Sequence, residues 1–140
     1  MRFEYVPYNG NWLPLIPVAF RTNQKRLPFV HALVDTGATQ SILPAELATE
    51  LGIHLDLESS IEAQVAGGGR CLIYPSPSAI EYVVKDPESQ SEHRWKGPVF
   101  FALGQQFALL GHERCLSKFD ITFKGPERCL DLFPRFRTTL

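Results

Sequence analysis

The sequence contains no long uninterrupted apolar run. The best stretch near its start, residues 12–20, is broken by Pro14 and Pro17. It falls well short of the roughly 20 apolar residues that cross a bilayer as a helix. The start also lacks the basic-then-apolar order of a secretory leader, because Glu4 and the polar Asn9-Gly10-Asn11 come first. No leader peptide and no membrane attachment are therefore expected. Cysteine is scarce: Cys71, Cys115 and Cys129 form a sparse, odd set. Such a set argues against a disulfide framework and for reduced thiols in the cytoplasm. Neither sign of charge dominates. The formal net charge is −1, which gives no broad basic field for nucleic acid, and Arg135-Phe136-Arg137 is too short a basic run to supply one.

Several chemistries are excluded in the same way. There is no repeat, no low-complexity tract, no phosphate loop and no dinucleotide fingerprint. His112-Glu113 is not followed by a second histidine at the spacing of the helical zinc-protease motif. His112 and Cys115 stand three apart, and Cys129 or Cys71 could be added to them, but no second close pair completes a zinc set. Buried thiols are the better reading of these cysteines. None of the three sits in a recognisable nucleophile setting, and His31 reads as a packing or surface histidine rather than a base. No metal and no cofactor are expected.

What the sequence does contain is enough for one domain. Its 140 residues, 44% apolar and 21% charged, can bury a core and do not read as disordered. Eleven prolines and ten glycines cut the chain into short segments and favour strands over long helices. Residues 15–20 and 28–34 are short apolar runs around a polar 21–26 turn, which predicts a hairpin. Residues 44–51 predict a short helix, with Pro44 at its first position, Gly52 as its stop and a poor cap at Leu43. Residues 61–66 and 71–74 read as strand arms around Gly67-Gly68-Gly69, and 79–84 as a further strand. The polar stretch 86–94 reads as a mobile loop. Residues 95–103 and 107–110 are apolar again, and 112–118 could form one or two helical turns. A terminal hairpin is expected from 121–123 and 129–133 around the turn 124–128, with 134–140 as a tail. The expected class is mainly β with one or two short helices, a single domain over 1–140 with its core at about 15–133.

The candidate chemistry lies at the end of the second strand, in Val34-Asp35-Thr36-Gly37-Ala38. A mostly apolar strand there delivers a carboxylate to the edge of the core. Burial makes a carboxylate costly to ionise, and a second carboxylate beside it makes one of the pair costlier still. Two such groups sharing one proton provide a base and an acid in one site. One activates water to attack an amide, and the other protonates the carbonyl oxygen. Alone, Asp-Thr-Gly could be an ordinary turn. Its position after an apolar strand, with Ser41-Ile42-Leu43 returning at once to the core, favours the functional reading.

A second feature is Leu109-Leu110-Gly111, whose glycine follows Asp35 by 76 residues. Between the two lies the glycine-rich Val65-Ala66-Gly67-Gly68-Gly69-Arg70. In this order the three features resemble the retropepsin-like family of aspartic proteases, over roughly residues 15–133. The resemblance implies a closed, β-barrel-like acid-protease fold, active as a symmetric dimer on a peptide or protein substrate. It implies Asp35 as catalyst, Thr36 as a brace across the subunit interface, and Gly37 as the point where backbone approaches substrate. It further implies substrate contact from Ala38, Thr39, Val65, Ala66, Gly67, Gly68 and Gly69. Leu109, Leu110 and Gly111 would support the catalytic turn. Because the triplet occurs once, a two-carboxylate mechanism needs a second chain on a twofold axis. Two positions depart from the family pattern: Thr39 and His112 stand where an interacting Asp and Arg are common. An inactive dimeric module that binds peptide or a protein partner is the alternative reading.

Overall fold

The first two long apolar runs pair as their sequence predicts. In the computed structural model, which describes residues 1–64 and 67–138, β4 (Leu15–Arg21) and β5 (Val30–Val34) form an antiparallel pair with Leu15 opposite Leu33. Of β4, only Pro17 and Arg21 are not buried. Proline cannot donate to a ladder, and Pro17 lies where β4 pairs with β5 alone. From Ala19 onward β4 pairs instead with β9 (Ile80–Lys85).

The remaining strands extend this pair into one sheet. They are β6 (Ile42–Pro44), β7 (Ile61–Gln64), β8 (Arg70–Pro75), β10 (Glu92–Gly97), β11 (Phe100–Ala102) and β12 (Ala108–Leu110). Among the described residues the order is β10-β9-β4-β5-β12-β6-β11-β8-β7. The β12–β5 and β11–β6 pairs are parallel, and the other neighbours are antiparallel. A separate sheet joins β1 (Arg2–Glu4), β14 (Cys129–Pro134) and β13 (Phe119–Lys124) in that order, 1-14-13, and β2 (Val6–Tyr8) pairs with β3 (Asn11–Leu13). The one α-helix among the described residues, α1, is short, Glu46–Glu50. Ala48 turns inward from it, and Leu51 just beyond it is also buried.

The core gathers around Tyr82, which stacks on Trp95 at 5.0 Å between centroids and meets Phe20 edge-on at 5.3 Å. Such contacts add to what burial alone supplies. The Tyr82 hydroxyl donates to the Pro98 carbonyl at 2.8 Å, and burial raises its pKa.

Four expectations are corrected. The main sheet is mainly β as expected but is not closed into a barrel; its ends are β10 and β7. Both carry charged side chains, Glu92 paired with Arg94 within β10 and Glu62 of β7 paired with Arg70 of β8, as edges left to solvent commonly do. Pro44 ends β6 rather than starting the helix, and Ala45 precedes α1 without a side-chain cap. Residues 92–94 are strand, not loop: Glu92, His93 and Arg94 face Lys85, Val84 and Val83 across the β9–β10 ladder. Segment 112–118, by contrast, holds one helical turn as expected, the 3-10 turn Leu116–Lys118. Residues 134–137 are not a free tail. Arg135 N–H donates to Lys118 O at 2.8 Å, and Phe136 packs edge-on against Trp95 and Phe119.

The three cysteines are free and differ sharply in access. Cys115 and Cys129 are buried and Cys71 is half-buried. Burial pushes the Cys115 thiol up to about 12, which removes the reactive thiolate near neutrality. An aromatic disulfide reagent at pH 8 should titrate one thiol per native chain quickly and three after denaturation in guanidinium. Three fast thiols in the native protein would contradict this packing.

Candidate active site

The site begins with a strand exchange. β12 lies between β5, which it parallels, and β6, where Leu109 faces Ile42. Leu109 sits opposite Leu33 and Leu110 opposite Val34, so both motifs leave the sheet at the same level. Asp35 N–H donates to Leu110 O at 3.1 Å and continues the parallel ladder by one bond. The chain then turns: Ala38 N–H donates to Asp35 O at 3.1 Å, and Gly37 N–H donates to Asp35 Oδ1 at 3.0 Å. This bond fixes one carboxylate oxygen against the Gly37 backbone. Asp35 is half-buried, while Thr36 and Gly37 are exposed.

Gly111 explains why two segments so far apart in sequence can be joined here. A Cβ built on it would lie 2.3 Å from the Gln40 carbonyl oxygen and 2.8 Å from Gln40 N. No side chain fits such a backbone crossing. Gly111 N–H donates to Ser41 Oγ at 3.0 Å; Ser41 is 1% exposed and is the buried polar side chain among the described residues. Beyond the crossing, His112 N–H donates to Ala38 O at 3.0 Å and Glu113 N–H to Thr39 O at 2.8 Å. Leu109, Leu110 and Gly111 thus lie directly against the Asp35 turn.

The His112 side chain takes part as well. Its Nε2 lies 2.8 Å from the Thr36 carbonyl oxygen. A carbonyl only accepts, so Nε2 carries the proton in this contact. The sequence shows His112 as a departure from the family pattern, and its use here was not foreseen. Its place immediately after Gly111 was the available clue. Ser41 was likewise passed over, since nothing in a lone serine reveals that its hydroxyl will meet a backbone N–H 70 residues away.

Gly67, Gly68 and Gly69 lie between β7 and β8, which pair as a hairpin with Gln64 facing Arg70. Gly67 and Gly68 adopt φ of +92° and +88°, with open space where a Cβ would stand. Val65 and Ala66 lie outside the described residues. No group of three His, Cys, Asp or Glu side chains placed to hold a metal occurs among the described residues.

Comparison with known proteins gives two kinds of likeness. Residues 19–75 match the gag-polyprotein putative aspartyl protease family. No curated protein matches the chain. Among solved structures, the chain resembles a retropepsin-like aspartic protease from Rickettsia conorii, with 19% identity and a TM-score of 0.58. That match covers 94% of this chain and 89% of the other. A second is the retroviral protease-like domain of Ddi1 from Leishmania major, at 17% identity and a TM-score of 0.46, covering 88% and 97%. The sequence match spans 57 residues of the chain, and the structural match shows that the chain shares the fold of a retropepsin-like aspartic protease.

The Gly111–Gln40 crossing yields a direct test. Gly111→Ala must displace backbone, not a flexible side-chain end, so overpacking of about 1–3 kcal/mol or more is expected. Thermal or urea unfolding should show that loss, whereas Gly125→Ala, which meets nothing within 4 Å, should show little. Equal stability of the two variants would refute the close approach.

Proposed function

We propose that the protein is a retropepsin-like aspartic endopeptidase that acts as a symmetric homodimer. The observation that carries this reading is the Asp35-Thr36-Gly37 turn locked against Leu109-Leu110-Gly111, with a carboxylate half-exposed at its tip. One chain brings one such turn, and a second copy supplies the other carboxylate. Thr36, exposed beside Asp35, braces the pair across the twofold axis. Ala38, Thr39 and the sequence segment 65–69 contact the peptide, and the β7–β8 hairpin closes over it as lids do. The three free cysteines suit a reducing compartment such as the cytoplasm. No described helix is long and apolar enough to cross a membrane.

The chemistry follows from two carboxyls that share one proton. The ionised Asp35 takes a proton from water as the water oxygen bonds to the scissile carbonyl carbon. The protonated Asp35 of the other copy gives its proton to the carbonyl oxygen. The tetrahedral diol then collapses, the C–N bond breaks, and a proton passes to the departing nitrogen to leave an acid and an amine. Gly37 N–H, donating to Asp35 Oδ1, keeps the carboxylate plane fixed through both steps. No metal or cofactor is needed.

Two measurements test the reading. Incubation with a diverse peptide mixture, followed by mass spectrometry, should show cleavage that Asp35→Asn lowers by at least about a hundredfold, within the range of lost general acid–base catalysis. Undiminished cleavage by Asp35→Asn would end the proposal, and no cleavage by either protein would favour the peptide-binding module. The rate should also be bell-shaped in pH. Below the first ionisation no base exists, and above the second no acid exists. A rate that rises steadily to alkaline pH would exclude the shared-proton dyad.

A further inference from the structure

A cavity of about 520 Å³ opens at the β10 end of the main sheet and belongs to no part of the proposed catalytic site. Lys96, Arg114, Lys118 and Arg137 line it. The chain has fourteen Lys and Arg residues, and seven of them form ion pairs among the described residues. Of the seven that do not, four meet here. The one acidic side chain on the wall, Glu81, is already engaged by Arg21 at 3.4 Å. A protein with a net charge of −1 has therefore gathered in one concavity four of the seven cations that form no ion pair among the described residues, where like charges repel unless an anion joins them.

The walls are held by contacts that do not depend on a ligand. Arg114 adopts φ of +51°, a conformation uncommon for a residue with a side chain. Its carbonyl accepts the Trp95 indole N–H at 3.1 Å. Gly97 makes that approach possible, since a Cβ there would lie 3.0 Å from the Arg114 oxygen. Also on the lining, the Lys118 ammonium stands 5.4 Å from the Phe136 ring centroid. Phe136 in turn meets Trp95 at 5.5 Å, which fixes the segment that carries Arg137.

We propose that this cavity binds a small ligand bearing two or more linked phosphate groups. Two guanidinium and two ammonium groups exceed what a single carboxylate can satisfy. A phosphate chain offers several closely spaced anionic oxygens, which arginine takes in bidentate fashion and lysine as a point charge. The volume lies within the range of small-molecule sites. The aromatic edge of Phe136 gives one apolar wall, against which a nucleobase could rest. The short basic run at 135–137 is thus one side of a folded pocket rather than a nucleic-acid tail.

The test uses the full chain carrying Trp12→Phe, so that Trp95 is the remaining tryptophan and reports on the cavity. Titration with sodium tripolyphosphate and with ATP at low salt should change its fluorescence saturably, and calorimetry should give one site per chain. Ionic-strength-matched chloride should have no such effect. Lys96→Gln with Arg114→Asn should weaken binding at least tenfold; asparagine tolerates the left-handed backbone at 114. Lys25→Gln with Lys85→Gln removes the same charge elsewhere and should leave the affinity within twofold. Circular dichroism and thermal melting would verify that each variant is folded, and if the Arg114 variant is not, Lys96→Gln with Lys118→Gln replaces it. Tighter binding of ATP than of tripolyphosphate would mean that the base is read. Equal binding would assign recognition to the phosphate chain alone. Absence of saturable binding, equal loss in both charge-removal pairs, or binding of a short RNA without either small ligand would overturn the proposal.

Discussion

The Gly111 backbone passes so close to Gln40 that a single methyl group would be 2.3 Å from a carbonyl oxygen. This contact decides the geometry of everything near Asp35. A four-residue turn with one N–H to carboxylate bond would otherwise be a weak local device, because intramolecular hydrogen bonds contribute only about 0.5–1.5 kcal/mol net. Here the turn is clamped by bonds to Leu110, His112 and Glu113, all from the far segment. None of these can form unless the chains cross at Gly111. The carboxylate is therefore positioned by a long-range constraint of the core and not by its own loop.

Ser41 carries the polar side of the same constraint. The crossing removes Gly111 N–H from water, and a buried donor left unpaired would cost about 1–3 kcal/mol. Ser41 Oγ meets it at 3.0 Å. The residues that follow Ser41 enter β6 beside β12, so one serine both satisfies the crossing and leads the chain back into the sheet. The His112 ring then reaches the Thr36 carbonyl. An arginine–aspartate tie between the two segments is absent in this sequence, and the His112 imidazole contact with the Thr36 backbone links them instead.

The parts of this arrangement that were legible in sequence were those with strong local pattern. The β4–β5 hairpin, the β7 and β8 arms and the β13–β14 hairpin all show apolar or β-branched runs bounded by turn residues, and all are present. Asp35 and Leu109-Leu110-Gly111 were found by their residue types and order, and the structure brings them together. The misreadings share a physical cause, which is that partners distant in sequence override local composition. Pro44 suits the first position of a helix, yet pairing of Ile42–Pro44 with β11 claims it for a strand. Glu92 to Arg94 read as loop because they are polar. They sit on an edge strand, where one side faces water and ion pairs with Arg26 and within the strand are available. Arg2–Glu4 is too short for any periodicity to reveal, and its strand exists only because β14 lies beside it. Phe136 looked like part of a tail because nothing local shows that Trp95 and Phe119 wait for it.

The terminal sheet sets a further condition on how two copies can meet. β14 is flanked on one side by β1 and on the other by β13, both from its own chain. Its ladder is complete, and no strand of a second copy can insert beside it without displacing one of these. A partner that extends this sheet must add to the outer edge of β1 or of β13, where N–H and C=O groups remain to be paired. Phe123 and Phe133 are exposed on β13 and β14, so apolar area is available at that end of the molecule. In the proposed dimer the carboxylates must nevertheless approach one another at the twofold axis. That requirement falls on the Asp35 to Thr39 turn, whose Thr36, Gly37 and Thr39 are exposed and whose backbone is already fixed from behind by the 110–113 segment. A turn held rigidly on one side and open on the other loses little conformational freedom when a second copy docks against it, which is the condition under which a small interface can hold two carboxylates in register.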